Sequence, residues 1–72
     1  MARRVMYVKP GCPWCDMARD DLRADGLDWE ERDATTNPEW RAELMRFSDD
    51  SGRVPTLVEG EEVVSVGWKG GG

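Results

Sequence analysis

The chain has 72 residues, 35% of them charged and 39% hydrophobic, and a net charge of −5. That length allows one domain with a small core, and the acidic balance excludes a basic face able to neutralise several phosphates, so nucleic acid is not an expected partner. No apolar run approaches the ~18 residues of a membrane span, and Val5 to Val8, after the basic Met1-Ala2-Arg3-Arg4, is too short for the ~7–15-residue core of a secretory signal.

The chain is therefore expected to be one domain over residues 1–72, without a membrane, in the cytoplasm. It holds two cysteines and no histidine. A disulfide-stapled secreted domain would carry more cysteines. Cys12 and Cys15 would also close too short a loop to stabilise much. Their presence calls for reactivity or metal.

Val5-Met6-Tyr7-Val8 is apolar on both faces and predicts a central strand. Lys9-Pro10-Gly11 breaks it. From Pro13 a helix is expected, with Trp14, Ala18 and Leu22 as its apolar stripe and Gly26 as its stop. Leu27-Asp28-Trp29-Glu30 alternates and predicts a half-buried edge strand. A second helix follows, opened either by a Thr36/Glu39 capping box or by Asn37 before Pro38. Its buried stripe is Trp40, Leu44 and Phe47. Val54 to Val58 and Val63 to Val66 predict a hairpin around Glu59-Gly60. Trp29 and Trp40 are read as core, and the acidic stretch Glu59 to Glu62 as a solvated turn. The order strand, helix, strand, helix, hairpin allows a parallel unit with a right-handed crossover.

Lys9-Pro10-Gly11-Cys12-Pro13-Trp14-Cys15 carries the chemistry. Cys12 stands just before the helix and Cys15 one turn inside it, so their sulfurs can meet. Unsatisfied amides at a helix N-terminus carry partial positive charge, which favours a thiolate at Cys12 more than at Cys15. Pro13 suits the first helical turn. Lys9 adds a second positive charge, and Asp16 opposes it. Thiolates are the attacking species in disulfide exchange. Cys12 is thus expected to be the nucleophile of depressed pKa, and Cys15 the resolving thiol. The rival reading is metal. One chain supplies only half of a four-ligand site, so a zinc ion or iron–sulfur cluster would need a dimer.

Tyr7-Val8-Lys9-Pro10-Gly11-Cys12-Pro13-Trp14-Cys15, together with Val54-Pro55-Thr56, resembles the glutaredoxin family and its glutaredoxin-like electron donors of ribonucleotide reductase. The likeness runs from about Arg4 to Gly67. It implies an α/β, thioredoxin-like fold, βαβαββ, with a four-stranded mixed sheet in the order 2-1-3-4. The activity implied is thiol–disulfide exchange on protein or glutathione mixed disulfides, with no bound cofactor and with glutathione or another thiol as reductant. Cys12 and Cys15 take the catalytic positions; Lys9, Pro13, Trp14, Val54 and Pro55 fall at substrate-binding positions. Lys9 matches a lysine that holds a glutathione carboxylate. Pro55 matches the family's cis-proline, and Val54 would offer backbone hydrogen bonds to the bound thiol peptide.

Two departures stand out. Gly67 matches, but Trp68-Lys69-Gly70 replaces the acidic pair that binds the glutathione amino end. Trp68 is read as packing, as covering the site, or as meeting a partner. The family's last helix is also missing, which would leave an apolar sheet face exposed. A homodimer or another partner is expected there, or a monomer with Trp68 as its lid.

Overall fold

The computed structural model describes residues 3–71. Its centre is β1 (Arg4–Val8), whose last four residues are buried. α1 (Pro13–Ala24), β2 (Glu30–Asp33), α2 (Pro38–Phe47), β3 (Thr56–Glu59) and β4 (Glu62–Val66) follow in that order. The sheet order is β2-β1-β3-β4. β1 pairs parallel with β2 and antiparallel with β3, which pairs antiparallel with β4. This is the expected four-stranded mixed sheet.

Residues opposite one another in register share a face. Met6 lies between Leu57 and Glu31. α1 covers that side, since the Arg19 guanidinium makes two hydrogen bonds, 2.8 and 2.7 Å, to Glu31. Tyr7 lies between Thr56 and Arg32, and α2 covers that side. The Tyr7 hydroxyl and the Arg32 Nη1 each donate to Glu43 Oε1 at 2.7 Å. The Tyr7 ring also stands 6.0 Å from that of Phe47.

The helix ends follow local chemistry. α1 closes with a Schellman motif: Gly26 N–H donates to Arg23 O and Leu27 N–H to Leu22 O, both at 3.0 Å. Gly26 has a φ of +71°, the left-handed conformation this cap requires. α2 opens on Asn37, whose Oδ1 accepts from the amides of Glu39 and Trp40. Pro38 follows in the first turn. Of the two candidate starts, the structure uses Asn37 and not the Thr36/Glu39 box.

Four expectations are corrected. The second strand is Glu30–Asp33, not Leu27 to Glu30. Pairing with β1 selects the segment, and its charged side chains are tolerated because it is an edge strand with ionic partners. The buried stripe of α1 is Cys15, Ala18 and Leu22; Trp14 is 40% exposed because Cys15 takes the inward position of the first turn. The hairpin turn is Gly60-Glu61, since Glu59 pairs with Glu62. Finally, the α1 side of the sheet is not bare. Met6 and Leu57 are buried, and Trp68 packs against the core. The exposed apolar side chains of β4, Val63, Val64 and Val66, lie elsewhere. Val63 and Val66 are register partners of Val58 and Thr56 on the α2 side, and Val64 sits at the register shift. Among the described residues no helix follows β4, and none is long and apolar enough to cross a membrane.

The cap at α2 is testable. Asn37→Ala should destabilise the protein by about 1 kcal/mol, read as a lower urea midpoint with an unchanged slope.

Candidate active site at the first strand–helix junction

The buried end of β1 hands the chain to Lys9-Pro10-Gly11, and Gly11 turns it with a φ of +71°. Cys12 is the N-cap of α1, with an extended backbone (φ −94°, ψ 109°). Its sulfur accepts a hydrogen bond from the Cys15 amide at 3.3 Å. That amide is one of the orphan donors of the helix start, aimed where a negative sulfur would be stabilised. On its other side the Cys12 thiol donates to the Val54 carbonyl at 3.7 Å. The Val54–Pro55 bond is cis, as the resemblance implies. Both cysteines are free and both are buried, Cys12 being 4% and Cys15 0% exposed.

The two thiols differ by position alone. Burial pushes Cys15 up to about 12, and the hydrogen bond and charge of Cys12 push the same way. The Lys9 backbone amide and the Arg19 charge oppose this without reversing it. Cys15 therefore stays protonated near neutral pH, as suits a thiol that acts second.

The structure brings together Cys12, Cys15, Val54 and, one residue on, Pro55. Pro13 is in the first turn of α1 and exposed, and Trp14 is exposed beside it. Lys9 presents its backbone amide to Cys15, while its exposed side chain makes no ion pair among the described residues. The opposing charge read at Asp16 is taken up by Arg19, 2.6 Å away. Among the described residues no group of three His, Cys, Asp or Glu side chains is placed to hold a metal.

Three further residues contribute, of which the sequence reading singles out Gly67 alone. Arg19 joins α1 to β2 and adds positive potential near Cys15. Gly67 donates its amide to Pro55 O at 2.8 Å. Gly71 lies against the Trp14 indole, so closely that a Cβ there has no room. Gly67 alone had a sequence signal, its position after the last strand.

Comparisons with known proteins identify the family and the fold. The family model described as Glutaredoxin matches residues 5–64. A curated glutaredoxin of Pseudomonas aeruginosa is 37% identical over 57 residues, which cover 79% of this chain and 67% of that protein. The crystal structure of the thioredoxin-like protein BC3987 superposes with a TM-score of 0.75 at 30% identity, covering 88% of this chain and 85% of that one. A glutaredoxin from Archaeoglobus fulgidus gives a TM-score of 0.75 at 27% identity, covering 94% of this chain and 77% of the other.

The buried Cys15 thiol makes stability depend on pH. The folded chain keeps a proton on Cys15 that the unfolded chain releases near the ordinary value of 9.0. The unfolded state then binds fewer protons, so stability present below pH 9 is lost as pH rises from 9 toward about 12. Urea titrations of the reduced protein across this window should show a steeper fall than for Cys15→Ser. Parallel curves would contradict the assignment.

Proposed function

The chain belongs to the glutaredoxin family and is a thiol–disulfide oxidoreductase, and from that premise we propose that it works by a two-cysteine mechanism on protein or glutathione mixed disulfides. The observation that supports this most is the asymmetry of the pair. Cys12 receives the helix-start amide of Cys15, whereas Cys15 is fully buried and held protonated.

Cys12 releases its proton to solvent and attacks one sulfur of the substrate disulfide. That S–S bond breaks, and the departing thiolate takes up a proton. A mixed disulfide now joins Cys12 to the remaining half. Cys15 then loses its proton and attacks the Cys12 sulfur, which expels the second half as a thiol. One substrate disulfide has gained two electrons and two protons, and the chain holds a Cys12–Cys15 disulfide. Two equivalents of glutathione or of another small thiol return it to the dithiol by the reverse exchange.

The neighbouring residues have roles in this reading. Once the Cys12 sulfur bonds to substrate, it no longer donates to Val54. The Val54 carbonyl is then free to accept from a substrate N–H, and the Pro55 bend holds it there. The exposed Lys9 ammonium suits the carboxylate of a glutathione. Pro13 and Trp14 present an apolar surface beside the attacking sulfur. Such a carrier belongs in a reducing compartment such as the cytoplasm. The homodimer suggested by a bare sheet face loses its argument where Trp68 packs on that face.

Intact mass after incubation with oxidised glutathione tests the mechanism. The reduced chain should lose two hydrogens, Cys15→Ser should retain one glutathione on Cys12, and Cys12→Ser should stay unmodified. A glutathione retained on Cys15 of the Cys12→Ser chain, at a rate like that of Cys12, would exclude the assigned order of attack.

A further inference from the structure

Residues 67–71 form a closed turn that the exchange chemistry does not use. Trp68 and Gly71 exchange both backbone hydrogen bonds, at 2.7 and 2.9 Å. Between them Lys69 and Gly70 have φ values of 49° and 83°, the paired left-handed residues of a tight two-residue turn. The turn touches both walls of the dithiol site. On one side Gly67 N–H donates to Pro55 O at 2.8 Å. On the other, Gly71 rests on the indole of Trp14, the residue between Pro13 and Cys15. Gly67 and the Gly71 carbonyl are themselves in contact.

Among the described residues, Asp21 is the α1 side chain that holds this turn by hydrogen bonds. Asp21 Oδ2 accepts from Trp68 Nε1 at 2.7 Å and pairs with Lys69 Nζ at 3.0 Å. Trp14 and Asp21 are about two helical turns apart on one face, so the turn lies lengthwise along the helix. The Lys69 pair is solvent-exposed and holds little. The indole bond is also charge-assisted but part-buried, with Trp68 packed against the core behind it.

The wall on the proline side has few ties of its own. Val54 and Pro55 precede β3 and lie outside the ladder. Their neighbourhood is held by Thr56 Oγ1 donating to Arg53 O at 2.7 Å, by the contact of Cys12 with Val54, and by Gly67. The Cys12 contact is given up when the sulfur reacts, which leaves Gly67 as the tie joining the proline loop to the turn.

We propose that residues 67–71 clamp the two walls of the site, and that Asp21 is the positioning residue that latches the clamp through Trp68. The latch keeps the Val54–Pro55 loop and the Trp14 indole at a fixed separation when a disulfide substrate reaches Cys12. This rests on the disulfide-exchange reading. It makes Asp21 matter for docking a substrate chain and not for the reactivity of the Cys12 sulfur, which is set by α1 itself.

The test compares two rates at one pH: reduction of a glutathionylated peptide, and alkylation of Cys12 by iodoacetamide. Asp21→Leu should slow peptide reduction roughly tenfold or more, the scale of one lost hydrogen bond to a charged group, through a higher KM. Alkylation should be unchanged. Asp21→Asn, which keeps an oxygen acceptor for the indole, should retain peptide reduction. Trp68→Phe, which keeps an aromatic ring and removes the donor, should behave like Asp21→Leu and serves if that variant fails to fold. Unchanged peptide kinetics in these variants would overturn the latch, as would alkylation falling in step with peptide reduction. Failure of the unmodified chain to reduce any disulfide would instead sink the exchange reading, so the two failures are read from different samples.

Discussion

Everything at the site depends on where α1 begins. β1 is held on both sides, by β2 and by β3, and its apolar residues are buried between two helices. Its end is therefore a fixed point, and the short Lys9-Pro10-Gly11 turn leaves Cys12 little freedom. Cys12 becomes the N-cap, and the amide of Cys15 points back at its sulfur. Two cysteines of identical chemistry are thereby made unequal. One stands at the positive end of a helix and faces the proline loop. The other is turned into the core, where burial holds its proton.

The charges of this acidic chain are arranged around that junction. Arg19 takes Asp16 and Glu31 together, and Asp16 is the residue next to Cys15. Glu31 is held well below the usual carboxylate range, chiefly by its hydrogen bond to Arg19. Asp16 does not present a bare negative charge beside the reacting sulfurs, because its partner is in the same helix turn. The same guanidinium fastens α1 to the sheet edge. Arg32 does the corresponding work on the other face, joining Glu30 and Glu43. Partly exposed pairs of this kind contribute little stability one at a time. Their effect here is to let four charged residues serve as an edge strand while the helices stay in place.

The legible parts of the sequence were those where local and long-range preferences agree. The apolar run Val5 to Val8, the proline and glycine after it, and the Cys12–Cys15 spacing all point to one strand–helix junction, and the structure contains it. Gly26 and Asn37 were legible because caps are local chemistry. The second strand was not, because its position is decided by pairing with β1 and not by its own pattern. Leu27 and Trp29 alternate with polar residues, yet Leu27 belongs to the helix cap and Trp29 packs from the side. Trp14 was misplaced for a related reason. Helical periodicity allows either Trp14 or Cys15 inward, and the core selects the smaller residue. Of the candidate site, the cysteines and the proline loop could be read along the chain. The contacts of Asp21 with Trp68 and of Gly67 with Pro55 join residues far apart in sequence and leave no local pattern.

A domain of this size has too few residues to separate its core from its site. Cys15 is both half of the free cysteine pair and part of the buried stripe of α1. Val54 lines the core and presents its carbonyl to Cys12. Trp68 closes the α1 side of the sheet with its ring, while its indole nitrogen reaches Asp21. The two contributions of Trp68 are physically distinct. The ring acts through buried apolar area, which scales with its size. The nitrogen acts through one directed bond to a charged oxygen. Packing alone would tolerate several large apolar side chains at this position. The bond to Asp21 requires a donor at one place on the ring. The bridge to Gly71 and the absence of room for a Cβ at Gly71 beside Trp14 restrict the turn further. A segment held by directed bonds to Pro55 and to Asp21 and packed on Trp14, next to a loop outside the sheet, is better suited to fixing distances across the cysteine pair than to filling space.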